Sequence, residues 1–134
     1  MTDEDERSLR AARLIWDCWL AGTTMERLPT ELRPRTRAEG YAIQAHYAQF
    51  SGHALFGWKI AATSAAGQNH IGVSGPMAGR LLKERVFEPG QMLEYGSNRM
   101  AVAEPEFAFC LGKTLTPQAV EYDLAEVLGA VDTL

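Results

Sequence analysis

The chain has 134 residues, of which 46% are hydrophobic, and this is enough apolar material to fold around a core of its own. Its 13 basic and 17 acidic residues give a formal net charge of −4 without any basic run or stripe, which argues against nucleic acid as a partner. The acidic first residues and the lack of an apolar run of ~18 residues argue against a signal peptide and a membrane span. We therefore expect a cytoplasmic protein with no membrane partner, in which Cys18 and Cys110 are reduced and buried.

The first 54 residues carry the signals of helices. Residues 5–20 are predicted to form an amphipathic helix that begins at a Thr2/Asp5 cap and stops at Gly22. Its apolar face is made of residues at helical spacing: Leu9, Ala12, Trp16, Trp19 and Leu20. Residues 22–34 have no periodicity and predict a loop. Thr36 and Glu39 have the spacing of a capping box before a second helix over residues 41–50.

From residue 55 the pattern favours β structure. Residues 55–62 predict a strand, Ser64 can cap a short helix, and residues 79–87 give a weaker strand signal. Residues 88–91 have the Pro and Gly of a type II turn. Asp123 begins a last helix with apolar residues on one side: Leu124, Val127, Leu128 and Val131. This order predicts an α+β fold with a helical amino-terminal region over residues 1–54 and a mixed β region over residues 55–134.

Two glutamates one residue apart stand in an alternating run over residues 99–111. In a strand, side chains repeat every second residue, so Glu104 and Glu106 would leave the same face with their Cα atoms roughly 6 to 7 Å apart. Apolar residues on both faces of the run predict that both faces are buried. Two buried carboxylates with no Lys or Arg inside residues 100–112 need a partner, and a shared divalent cation is the simplest. The alternative is a solvated acidic face on an edge strand, a position in which a proline such as Pro105 is common.

Lys59 stands in an otherwise apolar and aromatic stretch. A buried lysine that faced two carboxylates or their metal would have a movable proton, whereas an edge-strand lysine would extend its amine to water. Other constellations are weaker. The Gly72-Val-Ser-Gly-Pro76 segment departs from a nucleophile elbow at its fifth position, and the spacing of the three histidines does not favour zinc.

Together these segments resemble the 2-keto-4-pentenoate hydratase group of the fumarylacetoacetate hydrolase superfamily. The resemblance covers about residues 55–131, in four segments that occur in order: GWKIAATS at 57–64, IGVSGP at 71–76 with GRL at 79–81, VAEPEFAFCLG at 102–112, and EVLGAV at 126–131. It implies a cytoplasmic lyase whose mixed β fold holds Mg²⁺ or Mn²⁺. Glu104 and Glu106 correspond to the metal ligands of the group, and Lys59 corresponds to its lysine beside a 2-oxo acid substrate.

The resemblance also leaves alternatives open. In the group a third acidic ligand comes from a later strand, so we expect this chain to be the amino-terminal half of such a protein, with the third ligand outside it. The leading expectation is hydration of 2-hydroxy-dienoates in the catabolism of aromatic compounds. Met77 follows Pro76 where some hydratases have Asp, so a related 2-oxo acid decarboxylase or acylpyruvate hydrolase is the nearest alternative. A third alternative is an inactive fragment or an interaction module. For all three alternatives we expect homo-oligomers.

Overall fold

The computed structural model describes residues 2–96 and 100–134. Residues 2–96 belong to one compact unit and residues 100–134 belong to a second. Helices occur together with two small antiparallel sheets of two strands each, so the predicted α+β class is confirmed. The first of these sheets lies in the same unit as the amino-terminal helices. The division into a helical region over residues 1–54 and a catalytic domain over residues 55–134 stays a prediction.

Helix α1 (Asp3–Ala21) begins and ends where the sequence indicates. The Thr2 hydroxyl accepts the Asp5 N–H, and the Asp5 carboxylate accepts the Thr2 N–H, so the predicted cap is a complete capping box. At the other end Gly22 takes a left-handed conformation with φ 64°, which only glycine adopts without strain. The position and length of α1 therefore follow from local signals at its two ends.

The second predicted helix is two helices, α2 (Arg37–Ala45) and α3 (Tyr47–Ser51), which meet at His46. The Thr36 hydroxyl caps α2 by accepting the Glu39 N–H at 3.2 Å. The Glu39 carboxylate accepts the Arg35 N–H at 2.8 Å and pairs with Arg7 of α1 at 2.9 Å. The predicted capping box is thus half formed, because the carboxylate accepts the Arg35 N–H in place of the Thr36 N–H and also pairs with Arg7.

The core of the first unit lies between α1, α2 and the 3-10 turn Thr30–Leu32. Its buried members are Ala11, Ala12, Leu32 and Ile43, with partly buried side chains packed around them: Ile15, Leu28, Tyr47 and Phe50. Trp16 is only 4% exposed, and its ring lies 5.9 Å from that of Phe50 and 6.0 Å from that of Tyr47. The two alanines allow the helices to approach closely, and the aromatic rings fill the rest.

Strands β1 (Leu55–Ala61) and β2 (Met77–Leu82) pair antiparallel, so the strand predicted at residues 55–62 is confirmed and the weaker one is shifted toward the amino terminus. The short helix α4 (Ala65–Ile71) connects them and has the predicted Ser64 cap. The turn at residues 88–91 also forms, with Gly90 at φ 85° and the Gln91 N–H donated to the Glu88 carbonyl. The Ser64 cap and the turn at residues 88–91 are thus as predicted.

The second unit contains strand β3 (Cys110–Leu111), helix α5 (Leu124–Leu128) and strand β4 (Val131–Thr133), and β3 pairs antiparallel with β4. Asp123 caps α5 as predicted, by a complete capping box with Glu126. The helix ends at Leu128, however, so the prediction that Val131 belongs to its apolar face is wrong. Val131 and Thr133 are β-branched residues, which favour a strand once a partner such as β3 is present.

The long strand predicted over residues 99–111 is also wrong. Residues 101–109 have no regular secondary structure, and strand geometry is confined to β3; Arg99, at the start of the predicted run, lies outside the described residues. A strand needs a neighbour along its whole length to take its N–H and C=O groups. In the described part of the second unit that neighbour is the three-residue β4, and Pro105 has no N–H to contribute.

Candidate functional site

Lys59 lies in the middle of β1, directly opposite Gly79 of β2. The strand alternates in exposure, and Lys59 is half-buried on the more covered face, whereas Trp58 and Ile60 on the other face are exposed. Gly79 leaves room beside the lysine because it carries no side chain. Lys59 is therefore neither a fully buried lysine nor one that extends from an open face, the two alternatives that the sequence left.

Glu104 and Glu106 lie in the irregular segment of the second unit, and both are exposed. The prediction that they leave the same face of a buried strand is wrong for this structure, because no strand is formed there and the apolar residues around them are exposed as well. Ala101 adopts a positive φ of 52°, which breaks the extended conformation close to the start of the segment. Their assignment as metal ligands stays a prediction that rests on residue type and resemblance.

The donor chemistry of the two glutamates suits Mg²⁺ or Mn²⁺, because these ions prefer carboxylate oxygens. An octahedral ion needs more than two side chains or a shell of water to complete its coordination. Among residues 2–96 and 100–134, no group of three or more His, Cys, Asp or Glu side chains is placed to hold a metal ion.

The predicted site is divided between the two compact units. Lys59 belongs to the first unit, and Glu104 and Glu106 belong to the second. Each is therefore characterised within its own unit, and the expectation that the lysine faces the carboxylates stays a prediction.

A groove that the sequence did not indicate lies within the first unit, where α2 meets the edge of β2. Its volume is about 330 Å³, and it is lined by Tyr41, Gln44, Trp58, Ala78 and Arg80. The side chains come from α2, β1 and β2, so the groove depends on the strand register that sets Trp58 beside Arg80. The spacing of Tyr41 and Gln44, three residues apart on one helix, was the only available signal.

Hydrogen bonds hold the walls of this groove in place. The Gln44 side-chain amide donates to the Ala78 carbonyl at 3.1 Å, and its oxygen accepts the Arg80 N–H at 2.8 Å. The Tyr41 hydroxyl accepts the Ala78 N–H at 3.1 Å. Gln44 and Tyr41 therefore satisfy the edge of β2 that faces away from β1, as a neighbouring strand would.

Glu39 and Tyr47, two side chains of the helices in the first unit, have shifted pKa values. The Arg35 N–H, followed by the hydrogen bond and charge of Arg7, holds the pKa of Glu39 below its ordinary value, although partial desolvation opposes the shift. Burial raises the pKa of the Tyr47 hydroxyl, in the aromatic cluster beside Trp16. These shifts report on packing of the helices rather than on the predicted catalytic residues.

The two cysteines, Cys18 and Cys110, differ in exposure. Both cysteines are free, as predicted, but Cys18 is half-buried and Cys110 is exposed, so the prediction that both are buried is wrong.

None of the helices in the described ranges has the length and apolar character needed to span a bilayer. Comparisons of this chain with protein-family models, with curated proteins and with solved structures gave no match.

Proposed function

We propose that this chain contributes Lys59, Glu104 and Glu106 to a divalent-metal-dependent lyase of the 2-keto-4-pentenoate hydratase type within the fumarylacetoacetate hydrolase superfamily. Its substrate would be a 2-hydroxy-dienoate or a related 2-oxo acid from the breakdown of aromatic compounds. The observation that supports the proposal is the occurrence, in order along residues 55–131, of four segments, two of which contain these three residues. The half-buried position of Lys59 on the more covered face of β1 is compatible with it.

The chemistry of this class begins with enolisation of a 2-oxo acid. A divalent cation, when bound, supplies positive charge to the carboxylate and keto oxygens of such a substrate. Glu104 and Glu106 would provide carboxylate oxygens for that cation, and the third acidic ligand of the group would come from outside the described residues. The Lys59 ammonium would stabilise negative charge that develops on the keto oxygen, or move a proton at the enolate.

The proposal is tested by exchanging one ligand oxygen for an amide. In the complete protein, which would include the third acidic ligand, we expect Mn²⁺ binding and consumption of a 2-hydroxy-dienoate in the presence of Mg²⁺ or Mn²⁺, as followed by loss of the diene absorbance. Glu104→Gln and Glu106→Gln should each abolish both signals. Glu121→Gln, at another exposed position of the second unit, is the matched control and should leave them unchanged. Metal-dependent turnover retained in Glu106→Gln would reject the ligand assignment.

A change of reaction within the same class is the nearest alternative. Met77, the first residue of β2, follows Pro76 where some hydratases of the group have Asp. Loss of CO₂ or hydrolysis of a carbon–carbon bond could then follow enolisation in place of water addition. Product analysis on a small panel of 2-oxo acids would separate the three reactions, because each gives a different carbon skeleton.

An interaction module is the alternative from another class, and the exposed apolar residues of the second unit favour it. They include Met100, Phe107, Val120 and Leu124, each more than half exposed. Such residues favour association. Light scattering at several concentrations should then show oligomers, without metal-dependent turnover. A monomer at every concentration would count against self-association.

A further inference from the structure

We propose that the groove between α2 and the edge of β2 binds a small aromatic carboxylate. The proposal does not depend on the lyase activity proposed above, because it uses none of Lys59, Glu104 and Glu106. It rests on one feature of the first unit: Arg80, which has no carboxylate partner among the described residues, lies over the Trp58 ring in a groove that Tyr41 also lines.

Arg80 provides the positive charge. Its Cζ lies 4.7 Å from the centroid of the Trp58 ring, and the cation–π contact orients the guanidinium plane. Within the part of the chain that the structure describes, no Asp or Glu forms a salt bridge with it. Its backbone N–H is used by Gln44, which fixes the main chain and leaves the side-chain donors for another group. A guanidinium has its donors in a fork that matches the two oxygens of a carboxylate.

The aromatic walls determine the other half of the ligand. The Trp58 side chain is 48% exposed and Tyr41 is 37% exposed, although both line the groove. A planar apolar group that covered them would remove aromatic surface from water. The volume of about 330 Å³ is at the lower end of the range for small-molecule sites, which suits a single ring with one substituent.

The remaining polar groups limit what can bind. The Gln44 amide donates one N–H to Ala78 and accepts the Arg80 N–H, so these two bonds fix its place in the wall of the groove. The Tyr41 hydroxyl already accepts the Ala78 N–H, and its own hydrogen can be donated to an anion. One guanidinium and one hydroxyl match a singly charged carboxylate. A phosphate ester, with up to two charges, would call for further cationic or backbone donors.

The inference can be tested with benzoate as the probe. We expect calorimetric titration of the full chain to show saturable benzoate binding, with quenching of tryptophan fluorescence that Trp58→Phe removes. Benzamide keeps the ring without the charge, and acetate keeps the charge without the ring. Each should bind about tenfold or more weakly than benzoate, since each loses one of the two contacts.

Variants identify the residues that carry the binding. Arg80→Met should weaken benzoate binding by about tenfold to a hundredfold, because it removes a charge-assisted hydrogen-bond pair. Tyr41→Phe, which removes only a hydroxyl, is a second and milder variant and should weaken it less. Arg10→Met is the matched control, at an exposed arginine of α1, and should bind benzoate as the unaltered chain does. Circular dichroism establishes that each variant is folded.

Several results would overturn the proposal. Absence of saturable benzoate binding at up to about 10 mM would do so, given that a site of this kind should exceed that affinity. Equal affinities for benzoate and benzamide would show that the charge of Arg80 plays no part. Tighter binding of adenosine monophosphate than of benzoate would identify a nucleotide site instead. An Arg80→Met variant that is folded and binds benzoate normally would place any binding elsewhere.

Discussion

The helices of the first unit and the irregular second unit both contain well-formed helix caps, but they differ in how many apolar side chains are buried. In the first, capped helices α1 and α2 enclose a buried cluster of alanine, leucine and isoleucine, and Trp16 is only 4% exposed. In the described part of the second, α5 has an equally complete capping box, yet Ala130 is the only buried hydrophobic residue. Phe107 there is 86% exposed.

The difference shows that a helix cap or an alternating pattern can set where a helix or strand forms. It does not provide the neighbouring element against which that helix or strand packs. Helix α1 contains nineteen residues and presents a long apolar face to α2, α3 and the turn at Thr30–Leu32. Helix α5 contains five residues and is too short to be stable without tertiary contacts. Stability should therefore be concentrated in the first unit, and substitutions in the two regions should have unequal effects.

Removal of the buried Trp16 ring should show the greatest difference in stability between substitutions in the two units. We expect Trp16→Ala to reduce the free energy of unfolding by about 3 to 5 kcal/mol, because it empties the space between the rings of Tyr47 and Phe50. Phe107→Ala in the second unit should change it by less than about 0.5 kcal/mol. Urea denaturation followed by circular dichroism measures both. Comparable losses would show that Phe107 is buried in solution and would break the comparison.

Loss of a helix cap should have a smaller effect. Thr36→Ala removes the oxygen that accepts the Glu39 N–H, and we expect a loss of about 1 kcal/mol in the same assay. Thr36→Ser keeps that oxygen and serves as the control. Asp123→Ala, at the cap of α5, should leave the urea midpoint unchanged if stability resides in the first unit. A shift of the midpoint in Asp123→Ala as large as that in Thr36→Ala would contradict this.

The smallest expected effect is a dependence on pH. The pKa of Glu39 lies below its ordinary value of 4.5, so the folded state favours the ionised carboxylate. Its contribution to stability is therefore present above the ordinary pKa and is lost as the pH falls through the lowered one. Glu39→Gln should lose less stability than the unaltered chain between about pH 6 and pH 3. Identical pH profiles would show that the contacts of Glu39 with the Arg35 N–H and with Arg7 do not persist in solution.

The elements that were predicted correctly have their determinants close together in sequence. The limits of α1 are encoded by Thr2, Asp5 and Gly22, and the turn before Gln91 is encoded by one Pro and one Gly. The break at His46 was missed, because residues on both sides of it continue the helical spacing. These predictions and the miss all concern hydrogen bonds between residues a few positions apart.

The errors concern elements whose partners are distant. An alternating apolar pattern indicated a strand around Glu104 and Glu106, but strand geometry requires a neighbour that a pattern cannot supply. For the same reason Val131 was assigned to a helix although it pairs with Leu111. The groove at Arg80 was not visible either, since Trp58 and Arg80 meet only through the register of β1 and β2.

The sequence by itself determined the α+β class, the ends of α1, α4 and the turn before Gln91, and the residue types on which the lyase proposal rests. Only the tertiary structure decided which strands find partners, which apolar residues are buried, and which side chains line the groove at the edge of β2. The physical reason is that caps and turns are closed by hydrogen bonds within a few residues. Strand pairing and burial, in contrast, join residues far apart in the chain, and their free energy is gained only when those residues meet.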